Sequence, residues 1–117
     1  MSLLKIDNKN PIIFCGVKHW YEGGVVHREE GPAIEFNDGY KEWYKNGKIH
    51  REDGPAIEYS SGTNKWLKNG KLHREDGPAI EYSDGRKEWY FNDKCYGRSR
   101  DYTNESWSKF IKTLIFS

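Results

Sequence analysis

The sequence predicts a mainly β fold: an elongated antiparallel β-meander of stacked 23-residue hairpin repeats with a C-terminal capping α-helix. Two features predict the meander. The stretch HREDGPAIEY occurs at residues 50–59 and again at 73–82, with the near copy HREEGPAIEF at 27–36, and tryptophans at 20, 43, 66 and 89 keep the same period of 23. A change to helical periodicity near the C-terminus predicts the helix. Because one hairpin cannot bury its own face, we expect stacked neighbours to form one domain over residues 1–117.

A shortened hairpin opens the predicted stack over residues 11–19. The segment PIIFCGVKHWY at 11–21 is similar to PAIEFNDGYKEWY at 32–44 with two residues removed. Atypical terminal units are the rule in repeat proteins, so we interpret this segment as the first, incomplete member of the stack.

Three full repeats follow, each with two turn signals. The repeats are residues 20–42 (unit 1), 43–65 (unit 2) and 66–88 (unit 3). The first turn is Gly-Gly or Asn-Gly, since both central residues need a positive φ. As a two-residue loop in unit 2, it pairs Tyr44 with Ile49 and Trp43 with His50. The second turn ends in glycine and allows either a two- or a three-residue loop. We expect two antiparallel strands per unit.

The pattern changes after the third unit. Residues 89–97 keep the tryptophan and are interpreted as a decayed repeat. Residues 103–116 are predicted to form a helix, with Thr103 or Asn104 as N-cap and with apolar residues spaced along one face. These apolar residues are Trp107, Phe110, Ile111, Leu114 and Ile115. We expect the helix to lie across the last hairpins and to cover an exposed edge.

Composition excludes several classes of protein. Aromatic residues make up 15% of the chain and the net charge is +1, so we expect a folded, soluble, cytoplasmic protein. No apolar run approaches the ~20 residues that cross a bilayer, and the N-terminal residues lack the features of a signal peptide. No segment is strongly basic, which makes nucleic acid and membrane unlikely partners. Two cysteines cannot build a disulfide framework.

The 23-residue hairpin unit with the pattern W..NGK.H and a later Asp-Gly turn resembles the MORN (membrane occupation and recognition nexus) repeat. The resemblance covers roughly residues 11–97. KEW and HREDGPA stand where MORN units carry Tyr-x-Gly and His-Gly-x-Gly, so the chain looks like a divergent, MORN-like member. The resemblance implies an elongated, curved antiparallel sheet and a scaffolding or protein-binding role. Some bacterial relatives of this repeat type are labelled as antitoxin components, and lipid binding has been proposed for MORN proteins.

The repeated tryptophan, histidine and arginine positions are the candidate partner-binding residues. They are Trp20, Trp43, Trp66, Trp89, His27, His50, His73, Arg28, Arg51 and Arg74. Equivalent atoms of successive units should lie about 10 Å apart. Zinc ligands lie within about 2.0–2.1 Å of the metal, so the histidines cannot share one ion. Three equivalent copies also argue against catalysis, which needs unlike groups at one site. We therefore expect no metal, no cofactor and no enzyme activity.

Structural roles for these residues stay open beside the binding role. Each histidine could pack beside its tryptophan and hold a loop. Arg28, Arg51 and Arg74 could pair with Glu29, Glu52 and Glu75 or with the following acid. If the helix covers one sheet face, the other presents Trp or Tyr at regular intervals. Alternatively, long Lys and Arg side chains cover the rings.

These observations favour a non-catalytic protein-binding module. A chain of this size can act by occupying a partner protein, as a bacterial or phage inhibitor, antitoxin or adaptor. A homodimer is also possible, because unit 1 is acidic and the C-terminal part is basic. The alternative function is sequestration of a nucleotide or another anion by the Trp/His/Arg row.

Overall fold

The computed structural model describes residues 10–116; residues 1–9 and 117, which the sequence analysis places in the same domain, lie outside this range. The fold is mainly β, as predicted. The strands are β1 (Ile12–Phe14), β2 (Val17–His19), β3 (Tyr21–Glu22), β4 (Val25–Val26), β5 (Ile34–Glu35), β6 (Lys41–Glu42), β7 (Tyr44–Lys45), β8 (Lys48–Ile49), β9 (Ile57–Glu58), β10 (Asn64–Lys65), β11 (Leu67–Lys68), β12 (Lys71–Leu72), β13 (Ile80–Glu81), β14 (Lys87–Phe91) and β15 (Lys94–Arg98). A 3₁₀ turn (Ser99–Asp101) and helix α1 (Asn104–Ile115) follow.

The strands form one long antiparallel sheet with three small ones beside it. Nine strands make the main sheet, in the order β1-β2-β5-β6-β9-β10-β13-β14-β15. The pairs β3-β4, β7-β8 and β11-β12 are separate two-stranded sheets. The molecule is elongated, with principal extents of 52 × 33 × 18 Å. Among the described residues, no helix is long and apolar enough to cross a membrane.

Each unit contains two short hairpins, where two longer strands were expected. The reason is a change of strand partner at each tryptophan. The Trp43 N–H donates to the Ala56 carbonyl in the main sheet, while the Trp43 carbonyl accepts the His50 N–H in the neighbouring hairpin. One extended segment therefore contributes β6 to the main sheet and β7 to a small one. The predicted pairing of Trp43 with His50 is confirmed by the second of these bonds.

The two turns of each unit have different lengths. At the first turn, Tyr44 pairs with Ile49 as predicted, and Asn46 has a φ of 53°, as a two-residue loop of this type requires. At the second turn, the Phe36 N–H donates to the Tyr40 carbonyl, and the Gly39 N–H donates to the Phe36 carbonyl. These two bonds define a three-residue loop. Gly39 has a φ of 98°, so glycine suits this position.

Helix α1 packs on the last hairpin by burying an aromatic face. Thr103 is the N-cap, since its hydroxyl accepts the Ser106 N–H at 3.0 Å. Trp107 and Ile111 are buried against Trp89 of β14. Trp107 also donates its indole N–H to the Arg74 carbonyl at 2.7 Å, which ties the helix to the loop of unit 3. The helix therefore lies on the sheet face that carries the tryptophans.

Replacement of Trp107 by alanine tests this closure. We expect Trp107→Ala to lower the free energy of unfolding by about 3–5 kcal/mol, because a fully buried ring and its hydrogen bond are lost. Urea unfolding followed by far-UV circular dichroism measures the change. Phe116, which is 83% exposed, supplies the control: Phe116→Ala should leave the midpoint within error. Equal effects of both substitutions would contradict the observed packing.

Candidate functional site

Each arginine of the repeated HREDGPA stretch clamps three parts of its unit together. The guanidinium carbon lies 3.8 Å above the ring of Trp20 for Arg28, 4.0 Å above Trp43 for Arg51 and 3.8 Å above Trp66 for Arg74. The same side chains donate to the carbonyls of Pro32, Pro55 and Pro78 at 3.0, 3.0 and 3.1 Å. One arginine therefore holds both the strand before the loop and the loop itself. We call this arginine with its contacts the arginine clamp.

Acidic residues complete the clamp. The Arg51 Nε donates to Asp53 at 3.1 Å, and its Nη1 donates to Glu58 of β9 at 3.2 Å. Arg74 repeats both contacts with Asp76 and Glu81. Of the two pairings that the sequence allows, these arginines use the second acid of the loop.

The glycine of HREDGPA leaves room for the guanidinium. A Cβ on Gly54 would lie 2.8 Å from the Arg51 guanidinium carbon, and one on Gly77 would lie 2.7 Å from that of Arg74. Neither glycine has a positive φ. The close approach of the arginine is therefore the reason for glycine here.

Each histidine joins its own unit to the next. Its Nδ1 accepts the backbone N–H at the following Asn turn, at 3.0 Å for His27–Asn46 and 2.9 Å for His50–Asn69. Its Nε2 contacts the acid two residues later, as in His50–Glu52 at 2.6 Å. Because Nδ1 accepts, this hydrogen-bond network assigns the proton to Nε2, which donates to the carboxylate. His73 bonds to Asn92 and Glu75 in the same way.

The same network bears on metal binding. Glu22, His27 and Glu29 place their ligand atoms within 4.8 Å of one another. However, coordination through Nε2 would move the imidazole proton to Nδ1, where it would face the Asn46 N–H. Two donors would then oppose each other in a partly buried site. The arrangement suits a neutral imidazole that bridges two hydrogen bonds better than a metal ligand.

The tryptophans are covered and do not form an exposed row. Trp20 and Trp89 are 5% and 1% exposed, and Trp43 and Trp66 are partly buried under their arginines. At Trp89, Gly97 occupies the position of the clamp arginine, and Tyr102 and Trp107 pack on the ring. On this face, the structure therefore has the arrangement in which long side chains cover the rings.

The sheet face opposite the tryptophans carries a second set of aromatic residues. Register places Tyr40 and Glu42 on one face with Ile57 and Tyr59, away from Trp43. Phe36, Tyr40, Tyr59 and Tyr82 are here called the tyrosine face. Phe36–Tyr40 and Tyr40–Tyr59 are edge-on pairs with centroids 5.2 Å apart, and all four residues keep exposed surface. The 23-residue spacing of 36, 59 and 82 is the sequence signal for this face, although the candidate residues named from the sequence are tryptophans, histidines and arginines alone.

Two glutamates fix the tyrosine hydroxyls. Glu42 accepts from Tyr40 and from Tyr44, the latter at 2.9 Å. Glu88 accepts from Tyr82 at 2.8 Å and from Tyr90 at 3.1 Å. Burial and the hydrogen bond to Glu42 raise the pKa of Tyr44 to about 12 and that of Tyr40 above its usual range. Burial and Glu88 raise the pKa of Tyr90 to about 12.

Comparison with known proteins supplies no relative. No family model matches the chain, and neither a curated protein nor a solved structure matches it significantly. The resemblance to the MORN repeat therefore depends on the sequence pattern alone.

Substitution of Gly77 tests the arginine clamp, because its effect on the free energy of unfolding should change sign when Arg74 is removed. Gly77→Ala should destabilise the protein by about 1–3 kcal/mol, because the added methyl displaces the Arg74 guanidinium from its hydrogen bonds. In an Arg74→Ala background the same substitution should be neutral or stabilising, since alanine restricts the unfolded chain. Urea unfolding of the four proteins of this double-mutant cycle gives the coupling. If the two substitutions changed the free energy of unfolding additively, the close contact between Arg74 and Gly77 would be contradicted.

The raised tyrosine pKa values predict loss of stability at alkaline pH. Below the usual tyrosine pKa of 10.0 the hydroxyls are protonated in both folded and unfolded chains, so their contribution is complete. Above it the unfolded chain ionises first, and stability should fall as pH rises towards 12. Unfolding at successive pH values measures the slope. Tyr44→Phe and Tyr90→Phe should each flatten it; an unchanged slope in both would contradict the assigned hydrogen bonds.

Proposed function

We propose that the protein is a non-catalytic protein-binding module whose contact surface is the tyrosine face. The supporting observation is the aromatic row on the sheet face opposite to helix α1. Its members are partly exposed and lie on successive hairpins of one continuous sheet. Tyrosines supply large contact area at low entropic cost and are enriched at binding hot spots.

The row is held in place before any partner arrives. Glu42 and Glu88 each accept two tyrosine hydroxyls, and the ring pairs restrict Tyr40 and Tyr59 further. A preorganised surface loses less side-chain entropy on binding. Lys65 lies 5.3 Å from the Tyr59 ring and Arg86 4.6 Å from the Tyr82 ring, so cations border the aromatic area. This surface suits a partner with apolar side chains at the centre and acids around them.

Sequestration of a nucleotide by the Trp/His/Arg row has weaker support. Arg51 already donates to a proline carbonyl and to two acids, so its positive charge is balanced within the fold. Two equivalent clefts of about 590 and 550 Å³ lie between successive loops, but Glu52 and Asp53 line both. The hydrogen bond from His50 lowers the pKa of Glu52, which favours its charged form. Carboxylates at the mouth of a cleft repel a phosphate.

The finer assignment is a MORN-like inhibitor, antitoxin or adaptor of bacterial or phage type that acts in the cytoplasm by occupying its partner. The support is a surface that repeats on successive hairpins, together with histidines and arginines whose contacts lie within the fold. The partner itself is to be identified by experiment.

Site-specific cross-linking tests the proposed surface. A photoreactive phenylalanine analogue is placed at Tyr59, at Tyr82 or, as a control, at Phe116 on the far end of the helix. We expect one protein species to be captured from host lysate at positions 59 and 82 and not at 116. Capture at all three positions, or at none, would count against the proposal.

The captured protein is then purified and titrated by calorimetry. Tyr59→Ala should weaken binding at least about tenfold if the tyrosine is a hot spot. Lys71→Ala, on β12, is the exposed control and should leave the affinity unchanged. A thermal-shift screen with nucleotides tests the alternative: a raised melting temperature would favour sequestration and oppose the proposal.

A further inference from the structure

The first strand of the main sheet is an open, apolar edge. β1 is outermost in the strand order and pairs only with β2 among residues 10–116. Ile12, Ile13 and Phe14 are 47%, 63% and 71% exposed. No charged residue occurs between Pro11 and Val17. Sheet edges usually carry charges, bulges or covering elements that prevent pairing with another chain, and β1 carries no charge.

The hairpin register shows which backbone groups of β1 face outwards. Phe14 pairs with Val17 across a two-residue turn, and Ile12 pairs with His19. In such a hairpin the pair flanking the turn exchanges both backbone hydrogen bonds, and alternate residues do the same. The N–H and C=O of Ile13 therefore point away from β2, towards the open side.

The opposite edge strand, β15, is charged: its Lys94 and Arg98 are both exposed. After β15, the 3₁₀ turn and helix α1 fold back on the last hairpin and bury Trp89 and Trp107. Gly97 of β15 approaches Tyr102 and Asp101 so closely that a Cβ would lie 2.9 Å from the Tyr102 ring. An arrangement of copies from head to tail would pair apolar β1 with β15 and so set Ile and Phe side chains against Lys94 and Arg98. Pairing of β1 with a second β1 matches apolar residues with apolar residues, which fits a closed two-fold pair rather than a filament.

We propose that two copies of this chain associate through antiparallel pairing of β1 with β1, centred on Ile13. At this register the two Ile13 residues exchange N–H···O=C bonds, and Ile12 of each copy lies opposite Phe14 of the other. On both faces of the sheet, the apolar side chains of one β1 therefore lie beside apolar side chains of the other. The pairing joins two nine-stranded sheets into one continuous sheet. A small apolar cleft lined by Ile12, Phe14, His19, Tyr21 and Gly24 lies beside the strand and becomes part of the covered surface.

Sedimentation equilibrium over a range of concentrations tests the dimer. The wild-type chain should show reversible monomer–dimer association. Ile13→Pro removes the outward N–H, leaves the bonds to β2 intact and should weaken association at least about tenfold. Ile13→Val keeps the N–H and should behave as wild type. A wild-type chain that stays monomeric at all concentrations, or a dimer that Ile13→Pro does not weaken, overturns the proposal.

Disulfide cross-linking tests the register independently. In a hydrogen-bonded antiparallel pair the Cα atoms lie about 5.5 Å apart, within disulfide range. Ile13→Cys, in a background with Cys15→Ser and Cys95→Ser, should give a cross-linked dimer on mild oxidation. Phe116→Cys in the same background is exposed but should cross-link no faster than random collision. Equal rates at both positions overturn the assigned pairing, and circular dichroism confirms that each variant is folded.

Discussion

The rest of the structure depends on the arginine clamp. A loop of the type HREDGPA exposes many backbone polar groups, and each needs a partner when it is buried. The guanidinium stacks on the preceding tryptophan, binds the loop carbonyl of proline and, in units 2 and 3, reaches the glutamate of the next strand. The fully buried alanines at 33, 56 and 79 lie directly after those prolines. In a chain with few large aliphatic residues, cation–π stacking and charged hydrogen bonds replace part of a conventional core.

The clamp closes one unit, and histidine connects it to the next. Since each imidazole accepts the N–H of the following turn, a stack cut between two units would leave an acceptor or a donor unpaired at the cut. After Trp89 the chain carries Tyr96 and Gly97 in place of His and Arg, so the repeat cannot continue. Helix α1 supplies an aromatic cover for Trp89 instead. The two edge strands of the main sheet therefore differ in chemistry: β1 is apolar, whereas β15 carries Lys94 and Arg98 beside the helix.

The Asn-Gly turns could be predicted from the local sequence, whereas contacts that depend on the path of the HREDGPA loop could not. An Asn-Gly turn admits essentially one register, so the pairing of Tyr44 with Ile49 follows from the sequence. The change of strand partner at Trp43 depends on where the loop returns, which no local pattern specifies. Likewise, two adjacent acids are equivalent in sequence, but in the folded loop Glu52 faces His50 and Asp53 faces Arg51. The sequence allows tyrosines on the face away from the helix, but their pattern is weaker than that of the tryptophans, since Tyr40 corresponds to Thr63 and Arg86 in the next two units.

Positions that are identical in every unit make the internal contacts of the stack, whereas other positions vary. Positions 27, 50 and 73 are all histidine, and 28, 51 and 74 are all arginine, because every copy must make the same internal contacts. On the opposite face, equivalent positions differ: 42, 65 and 88 are Glu, Lys and Glu, and 40, 63 and 86 are Tyr, Thr and Arg. A stack that needs identical contacts in one place tolerates variation elsewhere. In the proposed binding role, these variable positions would give the tyrosine face its selectivity, since identical units offer the same contacts at every step.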